Sequence, residues 1–292
     1  MKRLLLSILT IALISGANSQ AADSTATGWQ RSLVIDITTT QTGYSDSWVG
    51  GEAGSFNWVG NINSTNQKQI SQKFDFKSTL KISFGQTKTQ SAETKEWSDA
   101  VKSTDLIDFE NVGNFTLGGF VDPYVAFRVE TQFYDGQVES MKQYFSPMKL
   151  TESAGILKHI YKKDKESLTS RLGLGLRQII KSVVDTSNMT VLDTTLTDGG
   201  LESVTDAVFK LSERMTYTGK LTLYKAFFFS ESDNANNDNW KAIDANWENI
   251  ISAQVSKIIT VNLYTQLLYD KEVSKKGRFK ETIAVGFVFK LI

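Results

Sequence analysis

From Trp29 onward the chain alternates apolar and polar residues with a period of two, in segments that often exceed ten residues. That period belongs to a β-strand whose two faces meet different surroundings. Residues 72–87 set Phe74, Phe76, Leu80, Ile82 and Phe84 against Asp75, Lys77, Thr79, Lys81 and Gly85. In 122–134, Val125, Phe127, Val129 and Phe133 oppose Tyr124, Arg128, Glu130 and Gln132. In 166–181, Leu168, Leu172, Leu174 and Leu176 oppose Arg171, Gly173, Gly175 and Arg177. Residues 259–270 and 279–291 repeat the pattern. Weaker versions at about 29–40, 52–65, 104–117, 149–162, 204–213, 216–230 and 240–255 bring the prediction to about twelve strands. Strands of soluble domains usually run to about five or six residues, so length alone separates this chain from an ordinary sandwich.

The connections between these segments alternate long and short, the longest falling at 182–203. A transmembrane barrel has this asymmetry, with tight turns at one end and long loops at the other. In hydrocarbon every backbone N–H and C=O must be paired, and a closed antiparallel sheet pairs them without leaving an edge. The predicted fold is therefore all-β, a closed antiparallel transmembrane β-barrel with its apolar face toward lipid and its polar face toward the interior. Trp29, Tyr134, Tyr217, Trp240 and Tyr269 fall near strand ends, where amphipathic rings suit the headgroup level.

Lys2 and Arg3 precede an apolar run from Leu4 to Ile14, followed by Ser15, Gly16 and the small-residue stretch ending at Ala21 and Ala22. This order predicts a cleaved signal peptide over 1–22 and a single barrel domain over 23–292, in the outer membrane of a Gram-negative cell. The apolar run is shorter than the roughly 20 residues a spanning helix needs.

Composition narrows the chemistry. Thirty-two Lys and Arg balance thirty-two Asp and Glu, so no bulk charge favours nucleic acid. With no cysteine and one histidine, thiolate zinc sites, cysteine nucleophiles and sites needing two imidazoles are excluded, and no cofactor is expected. The candidate functional residues are the charges on the predicted inner face: Asp244, Glu248, Asp270, Lys280, Arg128, Glu130, Arg171 and Arg177. A tight turn at 256–258 puts Asp244 roughly opposite Asp270, and the same register logic puts Lys280 opposite Asp270. The expected arrangement is an ion-pair ladder along the lumen; its alternative is two acids that bind a cation or share a proton. His159, the only imidazole, lies near a short turn without a local serine partner. Asp233, Asn234, Asn236 and Asp238 offer oxygen ligands in a long loop but without regular calcium-loop spacing, so no metal is assigned. Gly173, Gly175 and Gly286 read as small residues that give room in the lumen or permit strand curvature.

Several fragments resemble the DUF3078 family, predicted outer-membrane β-barrel proteins of Bacteroidota and relatives. They are Ser47-Trp-Val-Gly-Gly-Glu52, Phe145-Ser-Pro-Met-Lys-Leu150, Trp247-Glu248, Val261-Asn-Leu-Tyr-Thr-Gln-Leu-Leu-Tyr-Asp270 and Phe279-Lys-Glu-Thr-Ile-Ala-Val-Gly-Phe287. The chain departs from the usual aromatic ending of such barrels in closing on Ile292, with Phe287 and Phe289 nearby. The resemblance implies a fold and a location, and no activity.

Barrels of about eight strands are filled by side chains and those of sixteen to eighteen leave a channel, so twelve is intermediate. The first expectation is a porin-like passive channel for small solutes, with outer-membrane lipid and the barrel-assembly machinery as partners and no nucleic acid. The alternatives are an outer-membrane hydrolase using lumen or mouth residues, and a structural or partner-binding barrel acting through its extracellular loops.

Overall fold

A computed structural model describes residues 28–44, 53–136, 138, 141–163, 165–185, 187–232 and 238–290, with the backbone alone at 288–290. The strands are β1 (Gln30–Thr42), β2 (Ser55–Ser71), β3 (Phe74–Thr89), β4 (Val101–Asn114), β5 (Asp122–Thr131), β6 (Tyr134–Asp135) and β7 (Gln143–Tyr144). They continue as β8 (Met148–Lys163), β9 (Glu166–Asp185), β10 (Thr190–Lys210), β11 (Met215–Phe229), β12 (Ile243–Gln254), β13 (Ile259–Tyr269) and β14 (Arg278–Lys290). Twelve of them form one closed barrel in the order β1-β14-β13-β12-β11-β10-β9-β8-β5-β4-β3-β2, and every pairing is antiparallel. The β1–β14 ladder, Val34↔Lys290 to Thr38↔Gly286, closes the ring. β6 and β7 form a separate ribbon inside the connection from β5 to β8. The predicted signal peptide, the Ser47–Glu52 fragment and Ile292 lie outside the described residues.

The two faces invert the arrangement of a water-soluble protein. Leu174, Phe279 and Ile283, all on the outer wall, are each about two-thirds exposed, at 66%, 65% and 65%. Arg128, Arg171, Asp198 and Glu202, on the inner wall, are all under a tenth exposed. Hydrocarbon outside stabilises such a distribution; water would not. No helix among the described residues is long and apolar enough to cross a membrane.

One predicted connection is not a loop. Residues 182–185 and 190–203 belong to β9 and β10, which pair continuously from Val208↔Ser167 to Thr190↔Asp185. The ladder with β8 stops at Met148↔Ile180 and that with β11 at Asp198↔Phe229, so the hairpin stands beyond its neighbours. Both of its faces there meet similar surroundings. The apolar/polar contrast that reveals a lipid-spanning strand therefore fades, and Ser182, Asp185, Asp193 and Thr197 read as loop residues. At other connections the predicted contrast holds, with short turns at 72–73, 211–214 and 255–258 and longer segments at 90–100 and 270–277. Trp240, predicted within a strand, sits instead in a 3-10 turn over Asn239–Lys241.

Tyrosines packed over glycines shape the inner wall from β5 to β11. Across the sheet, Tyr124, Gly155, Gly173, Glu202 and Tyr224 occupy one row. The two glycines leave a floor without side chains, and Tyr124 lies across it: a Cβ at Gly173 would come within 2.5 Å of the Tyr124 hydroxyl. An aromatic ring over strand glycines restores the packing that the missing side chains forfeit.

Candidate functional site

The lumen is divided into two halves by charge. Lys81 on β3 reaches Glu248 on β12 at 3.8 Å, and Lys220 on β11 reaches Glu110 on β4 at 3.1 Å. β3 and β4 are neighbours, as are β11 and β12, so the two ion pairs form a septum across the barrel. Between β4 and β11, on the side of β5, β8, β9 and β10, the interior is filled by Tyr124, Val204, Arg171, Glu202 and Tyr224, each at most 5% exposed. Bounded by β12, β13, β14, β1, β2 and β3, the other half is open. It holds most of a cavity of about 1080 Å³.

The filled half is held by paired charges. Arg128 donates to both Asp108 oxygens, at 2.8 and 2.9 Å, and reaches Glu130 at 3.1 Å; Lys149 closes the set on Glu130 at 2.6 Å. Arg171 pairs with Glu110. Arg177 donates to Asp198 at 2.8 Å and to Asp244 at 2.9 Å, with its guanidinium 3.6 Å from the centre of the Tyr224 ring. Tyr224 in turn donates its hydroxyl to Asp198 at 2.6 Å. Buried ions of opposite sign offset one another's desolvation only in such close geometry, and loss of one partner leaves the other stranded.

Of the predicted lumen charges, Asp244, Glu248, Asp270, Lys280, Arg128, Glu130 and Arg177 all border the cavity. Arg171 lies behind them in the filled half. The β12–β13 ladder ends at Ala245↔Tyr269, which leaves Asp244 and Asp270 adjacent in register as expected. Asp244 nevertheless takes its counter-ion from Arg177, three strands away, and Asp270 accepts the backbone N–H of Glu272 at 2.9 Å, capping its own turn. In that turn the Glu272 carboxyl is pushed above the ordinary glutamate range by burial and by the neighbouring Asp270 and Asp244.

The expected Lys280–Asp270 pairing is not present. Lys280 pairs in register with Gln266, because the β13–β14 ladder ends at Leu268↔Arg278 and Asp270 falls past its last rung, in the connection 270–277. Its ammonium instead lies 5.9 Å from the centre of the Tyr264 ring. His159 is exposed, with Nδ1 3.0 Å from the Thr169 hydroxyl at an irregularity in the β8–β9 ladder. Asp238 pairs with Lys241 at 2.7 Å; Asp233, Asn234 and Asn236 lie outside the described residues.

Sequence reasoning did not single out Lys81, Asp108, Glu110, Asp198 or Lys220. Period-two parity already placed Lys81 on an inner face, and it extends to Asp108 and Glu110 in β4. Asp198 was hidden in the segment read as a loop.

Among solved structures of similar fold is an outer membrane channel from Pseudomonas putida F1, at 11% identity over 95% of this chain and 98% of that one, with a TM-score of 0.43. The translocator domain of the autotransporter NalP from Neisseria meningitidis is similar at 11% identity over 91% and 90%, TM-score 0.38. The NanC porin is similar at 10% identity over 88% and 100%, TM-score 0.38. No curated protein matches the chain. The fragments quoted above from Phe145 onward lie beyond the stretch that a family model matches. Over residues 39–136, from the end of β1 to the β6 ribbon, the chain matches DUF3078, a protein of unknown function, and the resemblance seen in the sequence holds across that stretch.

Proposed function

We propose that this protein is an outer-membrane channel for small solutes, delivered beyond the inner membrane by the segment 1–22. The observation that carries this reading is the reach of the cavity. At one end it is lined by Glu213, Arg214 and Lys257 of the short turns, and at the other by Asp270 and Arg278 beside the long connections. A single space bordered by both ends of the barrel is what a solute path requires. Its wall between β12 and β3 carries Asn61, Asn63, Thr282, Asn262, Tyr264 and Gln266, which exchange hydrogen bonds with a passing polar solute.

Most charges near the path are already paired, so ion selectivity is modest and set by the mouth. The test is reconstitution of the full chain, after removal of 1–22, in planar phospholipid bilayers. Discrete conductance steps are expected, and neutralising Asp244→Asn/Asp270→Asn should move the reversal potential in a salt gradient toward anion preference, since Arg177 loses one of its two acids. A bilayer that holds the inserted protein and stays silent would overturn the channel.

A further inference from the structure

The outer wall carries a recess of about 640 Å³, bordered by Val125, Phe127, Ala154, Leu174, Gly199 and Phe228, and an acid, Glu152, stands in it. Register fixes its layout. Phe127, Glu152, Leu176, Gly199 and Phe228 form one row across β5, β8, β9, β10 and β11; Val125, Ala154, Leu174, Leu201 and Lys225 form the next. All of these side chains lie on the face away from the lumen. Glu152 is exposed and Lys225 half-buried, and among the described residues neither has a charged partner. A carboxylate and an ammonium therefore flank an apolar recess on a wall that otherwise suits lipid tails, which can satisfy neither.

We infer that this wall is the contact between two copies of the protein in the membrane. The two charges lie on either side of the β9–β10 seam. A twofold axis along the barrel, passing over that seam, turns the Glu152 side of one copy toward the Lys225 side of the other, and forms the pair twice. Heights agree as well. The row through Glu152 begins at Arg31, beside the start of β1, and climbs through Asn66, Ser78, Asn111 and Phe127 to Phe228, beside the end of β11. Rows thus rise from β8 to β11, which lifts Lys225, one row lower, toward the level of Glu152. Phe228 packs its ring over Gly199, while Ala154 is small and exposed, so on the β8 side of the recess a second sheet can approach closely, the condition for association where lipid supplies no hydrophobic drive. A lipid chain fills the recess but leaves the acid without a counter-ion; a second copy fills it and supplies one.

The inference rests on the membrane reading but not on conductance. The chain has no cysteine, so single cysteines report contact directly. In phospholipid bilayers, Leu201→Cys beside the proposed axis should form a disulfide-linked dimer, while Leu263→Cys on the far wall of β13 should not. Glu152→Lys or Lys225→Glu alone should weaken dimerisation by about tenfold, as expected for a polar contact within a membrane, and the double exchange Glu152→Lys/Lys225→Glu should restore it. Equal cross-linking at both cysteines, none at Leu201→Cys in inserted protein, or a double exchange no better than the singles would each overturn the dimer. Failure of the parent to insert at all would overturn the membrane reading beneath it.

Discussion

At the scale of single residues, polar side chains inside the barrel divide into those with partners and those without, and stability should follow that division. Tyr224 donates to Asp198, and Asp198 also holds Arg177, so Tyr224→Phe removes a hydrogen bond to a buried charge at an expected cost of about 1.5–3 kcal/mol. The glycine floor beneath Tyr124 is equally demanding. A methyl group at Gly173 runs into the carbonyl oxygen of Ala154 and the Tyr124 hydroxyl, so Gly173→Ala should cost about 1–3 kcal/mol through overpacking. Urea titration of the folded form, followed by its heat-modifiable migration in gels, measures both. A neutral Gly173→Ala would mean that the close approach of β8 and β9 relaxes freely. Gly173 shows that a glycine read as a gap-maker is also a contact surface: its backbone is covered by an aromatic ring contributed from β5.

At the scale of elements, the β9–β10 hairpin contrasts with the rest of the wall. Residues 183–185 and 190–192 pair only with each other, past the last rung with β8 and the last with β11. Val183, Met189 and Leu192 are exposed there. Excising 183–192 and closing the chain with a two-residue turn beyond Ser182 and Asp193 keeps the bond between those two side chains, 2.8 Å long, as the new end of the ladder. The expected loss is within about 0.5 kcal/mol, as for changes away from packed contacts, with the barrel still closing. Thermal unfolding in detergent checks this, and a collapse of the folded band would show that the extension is needed for closure. The connection from β5 to β8 behaves differently. Asp105 on the outer face of β4 accepts the backbone N–H groups of Phe133 and Tyr134, at 2.7 and 3.2 Å, and pairs with Lys102 at 3.0 Å, so this segment is fastened to the wall instead of projecting from it.

At the scale of the whole molecule, the septum sets the size of the path. Its two bridges differ in burial: Lys81 and Glu248 are 33% and 21% exposed, while Lys220 and Glu110 are both 12% exposed, and Glu110 is shared with Arg171. Removing the outer bridge with Lys81→Ser/Glu248→Ser should raise single-channel conductance at a stability cost within about 1 kcal/mol, as for solvent-accessible ion pairs. Glu110→Gln strands two cations in the filled half and should cost about 3–5 kcal/mol. Unchanged conductance in the first variant, or equal stability in both, would contradict the division of the lumen.

Alternation by itself determined the class of fold, its inner and outer faces and the identity of most lumen charges. Each of these follows from local parity: a strand in a barrel wall must place every second side chain toward lipid, so Phe127 and Arg128 declare opposite faces without any knowledge of their neighbours. Parity says nothing of which charges meet across the lumen. Arg177 and Asp244 are separated by β10 and β11 in the wall, and Lys81 and Glu248 by four strands; both contacts depend on how far each ladder is staggered and on where the barrel closes. The Lys280–Asp270 expectation failed for that reason, since the β13–β14 ladder stops at Leu268↔Arg278 and leaves Asp270 past its last rung, a register that no local pattern encodes. The hairpin beyond 182 was missed because its faces no longer differ. Only the closed tertiary structure decided that six strands enclose a filled half and six an open one, because that division is set by pairs whose members lie far apart in the chain and are brought together by closure of the sheet.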